Sequence, residues 1–177
     1  CLGLYAEATV DEARVVPGET LKLKHTVIQR NPAEVVVKWL GIRYGADNQR
    51  ISVDRMLSIN QNETVNATRT LPADTALTHP YWLELPSTAG MAQVADKSLV
   101  GQPENEPAYV MTYEFALGDQ TLALLVAPVQ VTRDPVRGEL RDTLQVIPPV
   151  SVGFADQLAR FAPGETREVK VNVIAAR

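Results

Sequence analysis

The sequence predicts an all-β protein, built as tandem antiparallel β-sandwiches joined by Pro-rich connectors. Three observations carry that prediction. Apolar and polar residues alternate with a period of two along much of the chain, as strands with one buried face do. Gly, Pro, Asn and Asp gather between the alternating runs, where turns need them. Finally, one turn-plus-strand unit is written twice. Residues 13–28 (Ala-Arg-Val-Val-Pro-Gly-Glu-Thr-Leu-Lys-Leu-Lys-His-Thr-Val-Ile) return at 159–174, 146 positions later, with nine identities. Each copy reads as a tight Pro-Gly turn feeding a strand. Leu21, Leu23, His25 and Val27 share one face of the first, and Arg167, Val169, Val171 and Val173 share one face of the second. A repeated unit of this kind suggests an array of related modules. The second copy has few residues after it, so the chain reads as an excised piece of a longer protein.

Taken in order, residues 5–10 alternate and form a first strand, and Pro17-Gly18 turns the chain into a second at 20–29. Arg30-Asn31-Pro32 breaks that strand, because Pro removes a ladder donor. Residues 34–44 are apolar on both faces, with Val35, Val37 and Trp39 on one and Val36, Leu40 and Ile42 on the other, which predicts a central strand. Gly45-Ala46-Asp47-Asn48-Gln49 is a turn, and weaker strands follow at 51–58 and 64–70. Five short strands without a helix read as a small immunoglobulin-like sandwich over residues 1–75.

Residues 76–143 read as a connector plus a second β module. Thr78-His79-Pro80-Tyr81-Trp82-Leu83-Glu84-Leu85-Pro86 is punctuated by Pro and carries two adjacent aromatics, predicted to pack between modules. A second β region is expected from about 91. Residues 108–117 place Tyr109, Met111, Tyr113, Phe115 and Leu117 on one face, and Gly118-Asp119-Gln120 turns into a partner at 121–131. Pro128 inside that partner predicts an edge, a bulge or a bend. Asp134-Pro135-Val136-Arg137-Gly138-Glu139 reads as a second connector. Residues 144–177 either complete the second module or begin a third repeat.

The composition bounds the function. Seventeen basic against 21 acidic residues give a net charge of −4 with no basic run, so nucleic acid and anionic membrane surfaces have no electrostatic claim on the chain. No apolar stretch reaches the length of a membrane span. A single cysteine, Cys1, excludes an internal disulfide framework. A lipid-modified Cys1 of a bacterial lipoprotein is disfavoured, because Leu2-Gly3-Leu4-Tyr5 runs into structure without a polar tether.

The residues that carry chemistry are sparse. There are two histidines, His25 and His79. His25 stands in the apolar register that Val171 fills in the repeat, which marks a structural histidine. His79, beside Pro80 and Tyr81, reads as a connector residue holding a backbone carbonyl rather than a base. Zinc needs three or four convergent ligands, and no such spacing occurs. Asp47, Asp54, Asp134, Glu139 and Asp142 read as solvated turn residues, with a calcium site near Asp134 or Asp142 only weakly suggested. Neither a nucleophile elbow nor a phosphate loop is present. Tyr81, Trp82 and Tyr109 are the candidates for a sugar-stacking surface, and a structural role in a junction is preferred for the first two. Trp39 reads as core. Asn62-Glu63-Thr64 and Asn66-Ala67-Thr68 are glycosylation triplets that matter only in a eukaryotic secretory setting.

Four segments in order, Thr78-His79-Pro80-Tyr81-Trp82-Leu83, Leu99-Val100-Gly101-Gln102-Pro103-Glu104-Asn105, Asp134-Pro135-Val136-Arg137-Gly138-Glu139 and Val146-Ile147-Pro148-Pro149-Val150, resemble the region downstream of the catalytic domain in long bacterial PIG-L (LmbE-like) deacetylases. The resemblance spans nearly the whole chain. It implies a parent whose N-terminal domain is a zinc-dependent N-acetylglucosamine-type deacetylase with an Ala-His-Pro-Asp-Asp-like metal motif. This chain has no such motif, so no catalytic, cofactor-binding or metal-binding residue carries over. The resemblance therefore implies a non-catalytic accessory region, partnered by the catalytic domain of the same polypeptide, in a periplasmic or extracellular setting. The alternative to a scaffold is a carbohydrate-binding module that uses Tyr81, Trp82 or Tyr109 as stacking surfaces.

Overall fold

The computed structural model describes residues 2–32, 34–45, 49–156 and 158–176. The fold is all-β, a β-sandwich whose strands carry nearly all the regular structure. In chain order the strands are β1 (Leu4–Val10), β2 (Arg14–Val15), β3 (Thr20–Gln29), β4 (Val37–Tyr44), β5 (Arg50–Met56), β6 (Asn62–Thr70), β7 (Met111–Leu117), β8 (Gln120–Val126), β9 (Pro128–Asp134), β10 (Gly138–Thr143), β11 (Gln145–Val146), β12 (Val150–Phe154) and β13 (Val171–Ala175). One sheet runs β10-β9-β1-β3-β6 and the facing sheet runs β5-β4-β7-β8. Pairing is antiparallel except for β1 with β9 and β2 with β11.

The alternation expected along residues 20–29 is the observed one. Leu21, Leu23, His25, Val27 and Gln29 point inward while the residues between them face out. Met111, Tyr113 and Phe115 do the same on β7. The two inner faces meet in one core holding Trp39, Ile42, Tyr44, Tyr109, Met111 and Phe115 from one side and Ala8, Leu21, Leu23 and Val27 from the other. Removing each large aliphatic or aromatic side chain from water is worth about 1.5–3 kcal/mol. This layer is therefore the main source of stability.

Strand pairing corrects the division at residue 75. β4 lies hydrogen-bonded beside β7, from Val37 opposite Leu117 to Tyr44 opposite Met111. β1 lies beside β9, with Ala8 opposite Pro128. Residues 1–75 thus supply strands to both sheets, and each sheet is completed from residues 111–143. The core draws on both halves. What reads as two modules is one interlaced sandwich.

Three local expectations change for identifiable reasons. The two apolar faces of 34–44 arise from a bulge, not from burial on both sides. The register shifts between Trp39 and Gly41, so Val37, Trp39, Ile42 and Tyr44 all turn inward although their spacing breaks parity. Val35 and Val36 precede the strand and are exposed. The run 121–131 is two strands. β8 pairs with β7, then the chain crosses at Ala127-Pro128 to the other sheet as β9, which is the bend that Pro128 foretold. The supposed connector 134–139 is a tight hairpin turn between β9 and β10, where the Asp134 carboxylate accepts from the backbone N–H groups of Val136 and Arg137 at 2.8 and 2.7 Å.

No strand begins near 91. Residues 71–110 form an irregular segment with two single turns of 3-10 helix, Tyr81–Leu83 and Lys97–Leu99. Residues 144–177 divide. Leu144 and Val146 are buried in the core, with β11 against β2, whereas β12 and β13 pair only with each other and are exposed throughout. Among the described residues, no helix is long and apolar enough to cross a membrane. Cys1 and Asp47 lie outside the described residues.

Candidate functional site: a Trp82-lined cleft and a buried Tyr-His-Tyr chain

Two places concentrate polar chemistry. The first lies in the core. His25 on β3 sits between two hydroxyls of the facing sheet, with Nδ1 2.6 Å from Tyr113 Oη and Nε2 2.8 Å from Tyr44 Oη. The Tyr113 hydroxyl in turn donates to the Glu7 carbonyl on β1 at 3.0 Å. A neutral imidazole has one donor and one acceptor nitrogen. Since Tyr113 spends its proton on Glu7, its oxygen accepts from Nδ1–H, and Nε2 accepts from the Tyr44 hydroxyl. Both ring nitrogens are satisfied in this way by the neutral imidazole.

The electrostatics agree. Burial, with the nearby Arg69 guanidinium adding to it, lowers the His25 pKa to about 4. Burial chiefly, then the neighbouring Tyr44 and Glu7, raises that of Tyr113. Arg69 lies over the Tyr44 ring, 4.3 Å from its centroid, and Trp39 stacks on Tyr113 at 5.6 Å and 21°. The chain is sealed from solvent and ties the sheets together, so the expected structural role of His25 holds.

The second place is a cleft of about 380 Å³ whose walls come from segments 78–82, 103–107 and 143–145. Its walls are built from the inside out. Thr78 pins the irregular segment to β11: its N–H donates to the Val146 carbonyl at 2.8 Å, and its Oγ1 accepts from the Val146 N–H at 3.0 Å. Asn105 then clamps the next turn. Its Nδ2 donates to the His79 carbonyl at 2.8 Å, and its Oδ1 accepts from the Tyr81 N–H at 2.9 Å. The buried Tyr81 hydroxyl donates to the Gln102 carbonyl at 3.1 Å. The sequence segments around Thr78 and around Gln102 are thereby one structural unit. Asn105, its key residue, was visible only as a letter in a motif, because an amide clamp depends on a partner 24 to 26 positions away.

Trp82 stands at the rim, 39% exposed. It meets Tyr81 edge-on, at 4.9 Å between centroids and 86° between planes. The two rings therefore do not form a coplanar platform, and Tyr81 is buried beneath the indole. Tyr109 is also buried, tilted against Tyr44 at 6.5 Å between centroids. Of the three aromatics named from sequence, Trp82 alone lines the cleft. His79 lines it too, with Nδ1 at 3.1 Å from the Leu77 carbonyl, which is the backbone contact expected of it.

A polar groove of about 710 Å³ adjoins the cleft, sharing Glu104, Thr143 and Gln145 and adding Arg14, Arg141 and Asp142. Arg141 is held there by Glu7, Glu139 and the Tyr5 hydroxyl. Glu139 and Asp142 lie within β10 and Asp54 within β5, paired with Lys38 at 3.1 Å, rather than in turns. Asp54 has a positive φ of 51°. Among the described residues, no three His, Cys, Asp or Glu side chains are grouped to hold a metal. Compared with protein-family models, with curated proteins and with solved structures, the chain matches none.

Proposed function

We propose that the chain is a non-catalytic accessory region that supports the catalytic domain of an exported bacterial PIG-L-like N-acetylglucosamine-type deacetylase. The observation that carries this reading is the clamping of the Pro-rich segment. Thr78 bonds the segment to β11 at the rim of the sandwich, and Asn105 and Tyr81 tie residues 79–81 to residues 102–105 within it. A segment fixed at several points is a rigid surface against which a neighbouring domain can rest, and rigid contact limits domain motion. The groups best suited to acid–base work have framework duties: His25 bridges the sheets and His79 faces a carbonyl. The test uses the full-length polypeptide and a version lacking residues 1–177. Support by this region predicts a lower unfolding temperature and lower deacetylase activity on deletion. No change in either, or a full-length sequence without the metal motif, removes the reading.

A second reading, carbohydrate binding, is favoured by Trp82. An indole at the mouth of a cleft lined by Asn105, Gln145 and Glu104 offers an apolar face for a sugar ring and polar partners for its hydroxyls. Titration of chitin-type and peptidoglycan oligosaccharides against wild type and Trp82→Ala decides it. Affinity lost in the variant supports it, and no affinity in the wild type ends it.

A further inference from the structure

The repeat in the sequence is also a repeat in three dimensions, and it extends further than the matching letters. In the first copy Pro17-Gly18 forms a turn in which Gly18 has φ +82°, the Glu19 N–H donates to the Val16 carbonyl at 3.1 Å, and the Glu19 carboxylate accepts from the Val16 N–H at 2.8 Å. In the second, Gly164 has φ +83°, Glu165 N–H donates to the Ala162 carbonyl at 3.0 Å, and its carboxylate accepts from Ala162 N–H at 3.2 Å.

The strand register repeats as well. In the β1–β3 pair Leu4 faces Gln29, Ala6 faces Val27 and Ala8 faces His25. In the β12–β13 pair Val150 faces Ala175, Val152 faces Val173 and Phe154 faces Val171. Each of these six positions stands 146 residues after its counterpart, 150 against 4 and 175 against 29, although residues 150–154 share no evident motif with 4–8. A one-residue slip would turn every side chain to the opposite face, so the agreement fixes which face is which. Leu4, Ala6, Ala8, His25, Val27 and Gln29 are the inward face of the first pair.

The corresponding face of the second pair is wholly apolar and bare. Val152 is 70% and Phe154 74% exposed, and no strand lies over them among the described residues. The pairing Ala8 with His25 becomes Phe154 with Val171, so the polar group is gone and volume moves to the other strand. We propose that β12 and β13 are the first two paired strands of a second sandwich. Their Val150–Val152–Phe154 and Val171–Val173 face is its core, covered by a facing sheet from polypeptide that follows residue 177. That sheet presents branched aliphatic and aromatic side chains, as Trp39, Ile42, Met111 and Phe115 do in the first sandwich. The residues it sets against Val171 carry no hydroxyl needing a partner, because no imidazole is there to bond it.

Amide hydrogen exchange, read on residues 151–154 and 172–175, tests this in the chain of residues 1–177 and in the full-length polypeptide. Protection of these amides is expected to rise about 100-fold or more in the full-length protein, as for strands entering a packed core. Val152→Asp, on the bare face, abolishes that gain while the unfolding transition of the first sandwich stays in place. Ser151→Asp, on the opposite face, leaves the gain intact. Equal exchange in the two lengths overturns the proposal. So does protection in the 1–177 chain that depends on its concentration, since a second copy would then be the cover.

Discussion

Tyr113 on β7 reaches across the sandwich to His25 on β3, its hydroxyl oxygen 2.6 Å from the imidazole Nδ1. The contact couples the two sheets through a group that can gain charge, and the native structure has no place for that charge. Nδ1 and Nε2 are both engaged, and Arg69 already lies nearby.

Acid sensitivity follows directly. The unfolded chain protonates His25 below about 6.5, the ordinary histidine value, whereas the native protein resists until about 4. Between those values the unfolded state binds the extra proton, so stability is full above 6.5 and falls as the pH drops toward 4. The loss attributable to this residue is roughly 3 kcal/mol. His25→Gln should flatten that part of the curve of unfolding temperature against pH. An unchanged slope would assign the acid sensitivity to other groups.

The Tyr-His-Tyr chain should behave as a unit. His25→Val, which installs the residue of the second copy, deletes the imidazole that both Tyr44 and Tyr113 bond and should cost about 2–4 kcal/mol at neutral pH. Adding Tyr44→Phe and Tyr113→Phe removes the hydroxyls that lose this bond and should recover part of that cost. Denaturant melts of the single and triple variants measure the coupling; simple additivity of losses would contradict it.

Gly41 is required by close approach. A Cβ placed there would sit 2.4 Å from the Ile51 carbonyl oxygen, a backbone atom of the neighbouring strand. Gly41→Ala should therefore force β4 and β5 apart at the bulge and cost about 1–3 kcal/mol. Unfolding temperature is the readout.

Gly18 and Gly164 form a matched pair with opposite expected consequences for the sandwich. Both have φ near +80° with nothing within 4 Å of an added Cβ, so Ala substitution costs conformational energy alone. That cost is about 1–2 kcal/mol. Gly18→Ala should lower the sandwich's unfolding temperature, and Gly164→Ala should leave it in place because the second turn serves the separate hairpin.

Asn105→Ala should free the 78–83 turn while leaving the core folded. Loss of its bonds to the His79 carbonyl and the Tyr81 N–H releases Trp82 from its fixed edge-on seat. Acrylamide should then quench Trp82 fluorescence more readily, measured in a Trp39→Phe background, with near-native far-ultraviolet circular dichroism.

Which side of each strand is buried could be read from the sequence, and which strand lies beside it could not. The alternation of Leu21, Leu23, His25 and Val27 names an inward face by chemistry alone, and the repeat counterpart Val171 marks His25 as structural. Period-two alternation carries no label for the neighbour, however. The pairing of β4 with β7 across about 70 residues is therefore invisible in it, and the sequence reads as two modules where the fold is one interlaced sandwich. The bulge at Leu40 hid the true parity of β4 behind an apparently two-faced strand. In the cleft, the aromatics were legible by residue type. Their availability was not, since the perpendicular setting of Tyr81 against Trp82 and the burial of Tyr109 follow from Asn105 and from packing on Tyr44.

The parallel pairing of β1 with β9 has a consequence for synthesis. β1 is made before its sheet neighbours, and it lies inside its sheet, flanked by β3 and by a strand some 120 residues later. Until that later strand emerges, the nascent chain holds β1 with one edge open, and long-range closure of this kind makes folding slow. Deleting residues 4–10 would accordingly not remove a loose end; it would open a gap in the middle of the sheet.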